Sequence, residues 1–181
     1  RNFWVLQDKA HDDGPSTGDG TRATPTVDDE RVFSLGATGI LNCLDRRSGK
    51  RHWSINILDD TKATAPPHGM VGSPLVAGEL VVVCAGSAQG GTLVAYDKAT
   101  GMRAWSAGNE NAGYTSPQLF ELAGVPQIVI VSPQTVEAHD PLTGRVLWTH
   151  PFVNEQQTNC SQPSQVGTDR LLVSSNYGNG C

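Results

Sequence analysis

No segment of this sequence is long and apolar enough to cross a bilayer. The longest apolar run, Leu80 to Ala85, is far shorter than the roughly 20 residues that a membrane-spanning helix requires. Basic clusters are missing as well: 13 lysines and arginines stand against 18 acidic residues, and the net charge of -5 is spread along the chain. The sequence therefore predicts no transmembrane segment and no nucleic-acid partner.

Cysteine is scarce, and its spacing excludes the common metal and haem motifs. The chain has four cysteines, none of them in a C-x-x-C or C-x-x-C-H motif and none adjacent to another: Cys43, Cys84, Cys160 and Cys181. The first two lie in apolar stretches and are predicted to be buried thiols. The last two flank a predicted hairpin, and their oxidation state stays open.

Familiar catalytic motifs are also lacking. The sequence has no H-E-x-x-H and no G-x-S-x-G motif, and Gly18-Asp19-Gly20 and Gly90-Gly91 do not lead from a strand into a helix. We interpret all five histidines as solvated loop or strand residues: His11, His52, His68, His139 and His150. The sequence motifs therefore assign no catalytic residue, and the catalytic residues stay unknown from the sequence.

What the sequence does contain is an internal repeat. The pattern D-x-x-[ST]-G-x-x-x-W occurs three times, beginning at Asp45, Asp97 and Asp140. Its constant members are Asp45, Gly49, Trp53, Asp97, Gly101, Trp105, Asp140, Gly144 and Trp148. A second marker precedes each copy in the same phase and recurs once more, at Thr24-Pro25, Ser73-Pro74, Ser116-Pro117 and, more loosely, Gln162-Pro163. Two markers in one order predict repeated structural units.

Each unit is predicted to form four short antiparallel strands and no helix. The reason is that β-branched residues recur with period two, and Gly, Asp and Asn interrupt the pattern between strands. Proline cannot donate to a strand ladder, so the four marker prolines belong at the start of an edge strand, the innermost one of the unit. The glycine permits a positive φ in the hairpin between the third and fourth strands. The tryptophan then begins the outermost strand and is predicted to be buried against the next unit.

These repeats resemble the pyrroloquinoline-quinone-like β-propeller repeat, which occurs in quinoprotein dehydrogenases and in non-catalytic relatives such as the lipoprotein of bacterial outer-membrane assembly. The segment Gly18 to Pro25 also resembles bacterial members labelled polyvinyl-alcohol dehydrogenase-like, an analogy at the level of fold. The resemblance implies an all-β propeller with four-stranded antiparallel blades. Members usually close seven or eight blades, which makes this chain a fragment of a larger ring; a closed four-bladed ring is the alternative.

The blades are predicted from the phase of the two markers. Trp4 stands as far before Pro25 as Trp53 does before Pro74, so residues 1–8 are expected to hold the outer strand of a preceding blade. Whole blades are expected at residues 22–56, 72–108 and 115–150, and the first half of a further blade at residues 160–181. The remaining blades of the same protein would then be partners of this chain.

The resemblance leaves two functions open. The favoured one is a non-catalytic binding or scaffold propeller of the bacterial cell envelope, located in the periplasm. The alternative is an oxidoreductase that acts on an alcohol or sugar with pyrroloquinoline quinone and calcium. This chain departs from the catalytic pattern because it has no vicinal cysteine pair and its tryptophans belong to the repeat. We therefore expect no cofactor in this segment.

The loops that enter the innermost strands are the expected binding surface, because loops at one end of a propeller channel converge on a common rim. The side chains predicted there are Asp19, Arg22, His68, Tyr114, Asn159 and Asn176. Arginine can bind a carboxylate through two nitrogens, while tyrosine and asparagine can bind peptide or sugar groups. A protein or saccharide partner at this loop face is the expectation, and the alternative is that these side chains only satisfy the loop backbone.

Overall fold

Antiparallel sheets account for nearly all the regular structure in the computed structural model, which describes residues 20–175. Three sheets have four strands, the fourth has two, and strands neighbour each other in chain order. Sheet 1 contains β1 (Thr26–Asp28), β2 (Arg31–Leu35), β3 (Ile40–Asp45) and β4 (Arg51–Asn56). Sheet 2 contains β5 (Leu75–Ala77), β6 (Leu80–Ser87), β7 (Gly91–Asp97) and β8 (Arg103–Ala107). Sheet 3 contains β9 (Gln118–Leu122), β10 (Val125–Val131), β11 (Thr135–His139) and β12 (Val146–Pro151). Sheet 4 contains β13 (Ser164–Val166) and β14 (Arg170–Leu172).

One short helix, α1 (Ile57–Thr61), corrects the prediction that the chain has no helix. The Asn56 side chain caps it by accepting the backbone N–H groups of Leu58 and Asp59 at 3.0 and 3.3 Å. Lys62 ends it in the left-handed conformation, with φ at 58°. A helix of five residues is too short to show an apolar stripe, so the sequence pattern could not reveal it. None of the helical structure among residues 20–175 is long and apolar enough to span a membrane.

The marker prolines stand immediately before the first strand of each sheet. Each first strand begins one residue after its proline, since a residue without an N–H cannot donate to the ladder. The innermost strands β1, β5 and β9 line one common cavity. The apolar core lies between the sheets: one cluster joins sheets 1 and 2 to one face of sheet 3, and a smaller cluster lies on the other face of sheet 3, against sheet 4.

A bulge recurs at the same place in the three larger sheets. In sheet 1, Cys43 pairs with Trp53 and Leu44 pairs with Arg51, so His52 is an extra residue in the outer strand. The equivalent register shifts lie at Ala95/Tyr96 and Ala138/His139. A bulge twists the strand and redirects the side chain beside it. Here the redirected side chain is the repeat tryptophan.

Two of the three repeat tryptophans lie in equivalent surroundings. The indole N–H of Trp53 donates to the carbonyl of Lys98, and that of Trp105 donates to the carbonyl of Pro141, each at 3.3 Å. Both acceptors belong to the D-x-x-[ST]-G turn of the following sheet. A Cβ built on Gly101 would lie 2.9 Å from Cδ2 of Trp53, so only glycine permits this contact. The indoles therefore dock successive sheets onto one another.

Trp148 differs from the other two. Its indole N–H donates to Oε1 of Gln127, in its own sheet, at 2.6 Å. The physical reason is that residues 20–175 contain no D-x-x-[ST]-G turn after sheet 3. Its indole instead lies half-buried beside a cleft between sheets 3 and 4, which Leu122, Asp169 and Leu171 also line.

Candidate functional site

A series of hydrogen bonds links the pre-proline residues at the starts of the inner strands. The backbone N–H of Thr24 donates to Oγ of Ser73 at 2.9 Å, and the N–H of Ser73 donates to Oγ of Ser116 at 2.8 Å. With the Gln162 amide oriented to satisfy both groups, its oxygen accepts the Ser116 N–H at 2.8 Å and its nitrogen donates to the Ser116 carbonyl at 3.1 Å. Each sheet thus supplies the acceptor for the sheet before it. This relay fixes the loops at the channel mouth.

The channel wall formed by the inner strands is mostly uncharged. It lines an open cavity of about 730 Å³ between β1, β5 and β9. Val27 and Leu119 expose apolar side chains there, at 57% and 46% of their surface. Asp28 is the one ionisable side chain among the lining residues that the structure describes, and it is ion-paired with Nζ of Lys98 at 3.1 Å. The wall is suited to neutral groups rather than to a highly charged ligand.

Three of the predicted rim residues come together on the loops. Nη1 of Arg22, before β1, donates to the backbone carbonyl of His68 at 2.8 Å. The ring of His68, before β5, lies 5.5 Å from the ring of Tyr114, before β9, at an angle of 49°. Arg22 and His68 are exposed and Tyr114 is half-buried. The three side chains form a strip across the loops of sheets 1, 2 and 3, which we call the rim strip.

Asn159 does not join the rim strip. Only 1% of its surface is exposed, and its Nδ2 donates to the carbonyl of Ser132 at 2.9 Å and more weakly to that of Phe152 at 3.3 Å. Its Oδ1 accepts a hydrogen bond from Nδ2 of Asn154 at 2.9 Å. Asn154 is also buried, and nothing in the sequence indicated its role. Its amide thus satisfies loop backbone, which was the alternative interpretation. The other two predicted rim residues, Asp19 and Asn176, lie outside the described residues.

The prediction that all five histidines are solvated is wrong for His139. This side chain is 0% exposed, whereas His52, His68 and His150 are exposed and His11 lies outside the described residues. The physical reason is the alternation along β11, which turns His139 and Glu137 towards sheet 2. Cys43 and Cys84 are buried as predicted, and burial raises the pKa of the Cys84 thiol to about 12.

The repeat aspartates hold the turns that receive the indoles. Oδ1 of Asp97 accepts the backbone N–H and the hydroxyl of Thr100 at 2.8 and 2.7 Å, and Asp45 and Asp140 make the same pair of bonds. Because these bonds favour the charged carboxylate, they lower the pKa of all three aspartates. These aspartates therefore have a structural explanation that does not involve a ligand.

The described residues do not fit a quinone held by calcium. Such a group needs several carboxylate or amide oxygens at one place and an aromatic platform beside the channel. Within residues 20–175 no three acidic, histidine or cysteine side chains converge in a way that suits a metal ion, and the carboxylate of Asp28 is paired with Lys98. Trp53 and Trp105 lie between sheets, on the turns, and are not beside the channel cavity.

The architecture agrees with the comparisons with known proteins. The sequence profile of the outer membrane protein assembly factor BamB family matches residues 4–181. The chain belongs to this family. With that match the prediction of a pyrroloquinoline-quinone-like repeat and an all-β propeller is confirmed. The BamB-family chain matches no curated protein sequence.

Two quinohemoprotein structures share this fold at low sequence identity. The quinohemoprotein alcohol dehydrogenase ADHIIG of Pseudomonas putida HK5 is 19% identical over 73% of this chain and 26% of its own, with a TM-score of 0.53. The quinohemoprotein alcohol dehydrogenase of Comamonas testosteroni is 24% identical over 73% of this chain and 21% of its own, with a TM-score of 0.51. BamB from Moraxella catarrhalis is 22% identical over 72% of this chain and 38% of its own, with a TM-score of 0.49. The chain thus spans between a fifth and two fifths of these proteins.

Proposed function

We propose that this chain is part of a non-catalytic scaffold propeller of the bacterial cell envelope, which holds a protein partner on its loop face. The observation that carries the proposal is the rim strip, in which Arg22, His68 and Tyr114 from the loops of three different sheets are linked by contacts that include a hydrogen bond and a ring contact. The family to which the chain belongs is named after an assembly factor of outer membrane proteins. That description supports both the envelope location and the choice of a protein as partner.

The chemistry of the rim strip suits protein recognition. Arginine and tyrosine are among the residues that contribute most to protein interfaces, because they combine a large contact area with directional donors. Their loops are fixed by the relay between Thr24, Ser73 and Ser116. Recognition by prearranged loops has a lower entropic cost than recognition by loops that must first be ordered. A saccharide would use the same donors and rings, so the experiment must separate these two partners.

Site-specific photo-crosslinking in the full-length protein tests the proposal. A benzophenone amino acid in place of Tyr114 is expected to yield a protease-sensitive adduct of discrete mass in cells. The control position is Leu142, which is 79% exposed on the β11–β12 turn and belongs to no part of the rim strip. We expect no discrete adduct there. Equal adducts at both positions, no adduct at either, or a protease-resistant saccharide adduct would contradict the proposal.

The alternative, a quinone-dependent oxidoreductase, is tested separately. The full-length protein is melted with and without pyrroloquinoline quinone and calcium. A ligand present at 100 times its dissociation constant stabilises a protein by about 2.7 kcal/mol, which raises the melting temperature measurably. We expect no rise, because the proposed scaffold propeller holds no cofactor. A clear rise would favour the oxidoreductase.

A further inference from the structure

The joint between sheets 3 and 4 differs from the other two joints in how its tryptophan is held. The indole N–H of Trp148 donates to Oε1 of Gln127 at 2.6 Å, within one sheet. Arg31 and Leu80 occupy the position of Gln127 in sheets 1 and 2, and neither side chain can accept a hydrogen bond. The tryptophans of those two sheets donate to the next turn instead. Trp148 is therefore held in place without a turn that covers its ring.

Beside Trp148 lies an open cleft of about 400 Å³, a volume typical of sites for small ligands. The cleft is at the end of β9 opposite to the loop of Tyr114, so it is separate from the rim strip. Its lining combines one aromatic side chain with apolar and polar ones: Trp148, Leu122, Leu171, Gln127, His150 and Asp169. Such a mixture is suited to a ligand that has both an apolar face and polar groups.

Gln127 is the lining residue that points to a ligand. Only 8% of its surface is exposed. Because an indole N–H can only donate, Oε1 faces Trp148, and the two hydrogens of Nε2 need other acceptors. Among the described residues Nε2 contacts only the carbonyl of Leu122, at 3.5 Å, which is longer than an ordinary hydrogen bond. Buried donors are nearly always satisfied, so this amide is a donor ready for a ligand oxygen.

The other lining groups narrow the class of ligand. A wholly apolar ligand would cover the Gln127 amide without satisfying it. An anionic ligand would approach the carboxylate of Asp169, which is exposed and 3.6 Å from Nε of Arg170. A pyranose ring meets both conditions, because one face presents C–H groups and its edge carries neutral hydroxyls that donate and accept. The C–H groups are attracted to the negative face of an indole.

We propose that this cleft binds the pyranose ring of a neutral saccharide. The apolar face of the sugar lies on the indole of Trp148, and a sugar oxygen accepts a hydrogen bond from Nε2 of Gln127. His150 and Asp169, at the exposed side of the cleft, contact the remaining hydroxyls. The proposal does not depend on the proposed function, because it involves no residue of the rim strip.

Saturation-transfer NMR on the full-length protein tests the proposal. The probes are methyl β-D-glucopyranoside, methyl β-D-galactopyranoside and N-acetyl-D-glucosamine, and the control is sorbitol, which has hydroxyls but no ring. We expect at least one pyranose to bind and sorbitol not to bind. Binding of none of the pyranoses, or equal binding of sorbitol, would overturn the proposal.

Two matched variants assign the binding to the cleft. Gln127→Leu introduces the residue that sheet 2 has at this position, and it should weaken binding about tenfold, because the ligand loses a hydrogen bond and the indole loses its acceptor. Gln134→Leu makes the same change at an exposed position between β10 and β11, at the other end of sheet 3, and should bind as the wild type does. Wild-type affinity in Gln127→Leu would refute the site.

A spectroscopic measurement decides the matter even if Gln127→Leu does not fold. In protein labelled with nitrogen-15 tryptophan, the indole resonance of Trp148 is assigned by its loss in Trp148→Phe. We expect a bound pyranose to shift this resonance and to leave those of Trp53 and Trp105 unchanged. An unshifted Trp148 resonance in the presence of bound sugar would place the sugar elsewhere and contradict the proposal.

A peptide turn is the competing occupant, because a D-x-x-[ST]-G turn packs on the indole in the other two joints. A capped peptide with the sequence of residues 140–145 serves as the probe. We expect it neither to shift the Trp148 resonance nor to displace the pyranose. Displacement by this peptide would show that the cleft receives a protein turn, and the saccharide proposal would then be wrong.

Discussion

Trp105 packs so closely on Gly144 that a Cβ added to this glycine would lie 2.5 Å from Cε3 of the indole. The glycine also has a φ of 73°, a backbone conformation that residues other than glycine rarely adopt. Two separate physical requirements thus fall on one residue: the conformation of the turn and the space for the ring of the preceding sheet. Variants can measure them separately.

Gly144→Ala is expected to destabilise the protein more than Gly124→Ala does. Gly124 has nearly the same φ, 76°, but no atom lies within 4 Å of its added Cβ, so its substitution reports only the backbone strain. That strain costs about 1–2 kcal/mol. We expect Gly144→Ala to lose about 1–3 kcal/mol more unfolding free energy than Gly124→Ala, because overpacking usually costs this amount. Urea denaturation measures both, and equal losses would show that the indole contact is not tight.

Trp105→Ala is expected to cost about 3–5 kcal/mol of unfolding free energy, because it opens a large cavity between sheets 2 and 3. Only 9% of this residue is exposed, and its N–H bond to Pro141 would be lost as well. The matched variant is Trp148→Ala, whose indole is half-buried and bonded within its own sheet. We expect the smaller loss there. If both variants melt alike, the docking role assigned to Trp105 is wrong.

Ser116→Ala should cost about 1–3 kcal/mol, since the backbone N–H of Ser73 loses its acceptor in a partly buried site. Ser116→Thr keeps a hydroxyl at the same position and should recover most of that loss. Thermal melting of the two variants provides the comparison. A threonine variant as unstable as the alanine variant would indicate that the packing of Ser116, and not its hydrogen bond, matters.

We expect the protein to lose stability in acid, because protonation removes the charge that the hydrogen bonds of the turn aspartates stabilise. Hydrogen bonds from Thr100 lower the pKa of Asp97 from its ordinary value of 3.8, so its folded form binds fewer protons than its unfolded form. The resulting stabilisation is present above pH 3.8 and disappears as the pH falls through the lower folded value. Asp97→Asn can still accept from the turn but does not titrate. We expect its melting temperature to depend less on pH than that of the wild type between pH 2.5 and 5; identical profiles would exclude this cause.

The strands were predictable because period-two alternation and turn residues are local properties of the sequence. Each D-x-x-[ST]-G turn joins the third and fourth strands of its sheet, as the repeat predicts. The inner strands begin just after their prolines, where the ladder first has an N–H. The helix Ile57–Thr61 escaped prediction because a side-chain cap and one left-handed residue define it. Such features have no periodicity.

The candidate site was predictable only in part. Topology placed Arg22, His68 and Tyr114 on neighbouring loops, and the structure brings them into contact. Topology could not reveal that Asn159 turns inward, because its partners include backbone carbonyls more than 20 residues away. The burial of His139 was also hidden. A histidine on a strand gives no sign of which face it occupies until the neighbouring sheet is known.

The relay between Thr24, Ser73, Ser116 and Gln162 has a consequence for how such arrays change in length. In each step one residue's N–H is the donor and the next sheet's side-chain oxygen is the acceptor, so Ser73 and Ser116 play both parts. Duplicating or deleting one whole unit would leave every such bond with a matching partner. A change in the number of units would therefore require no new kind of hydrogen-bonded joint between the loops before the inner strands.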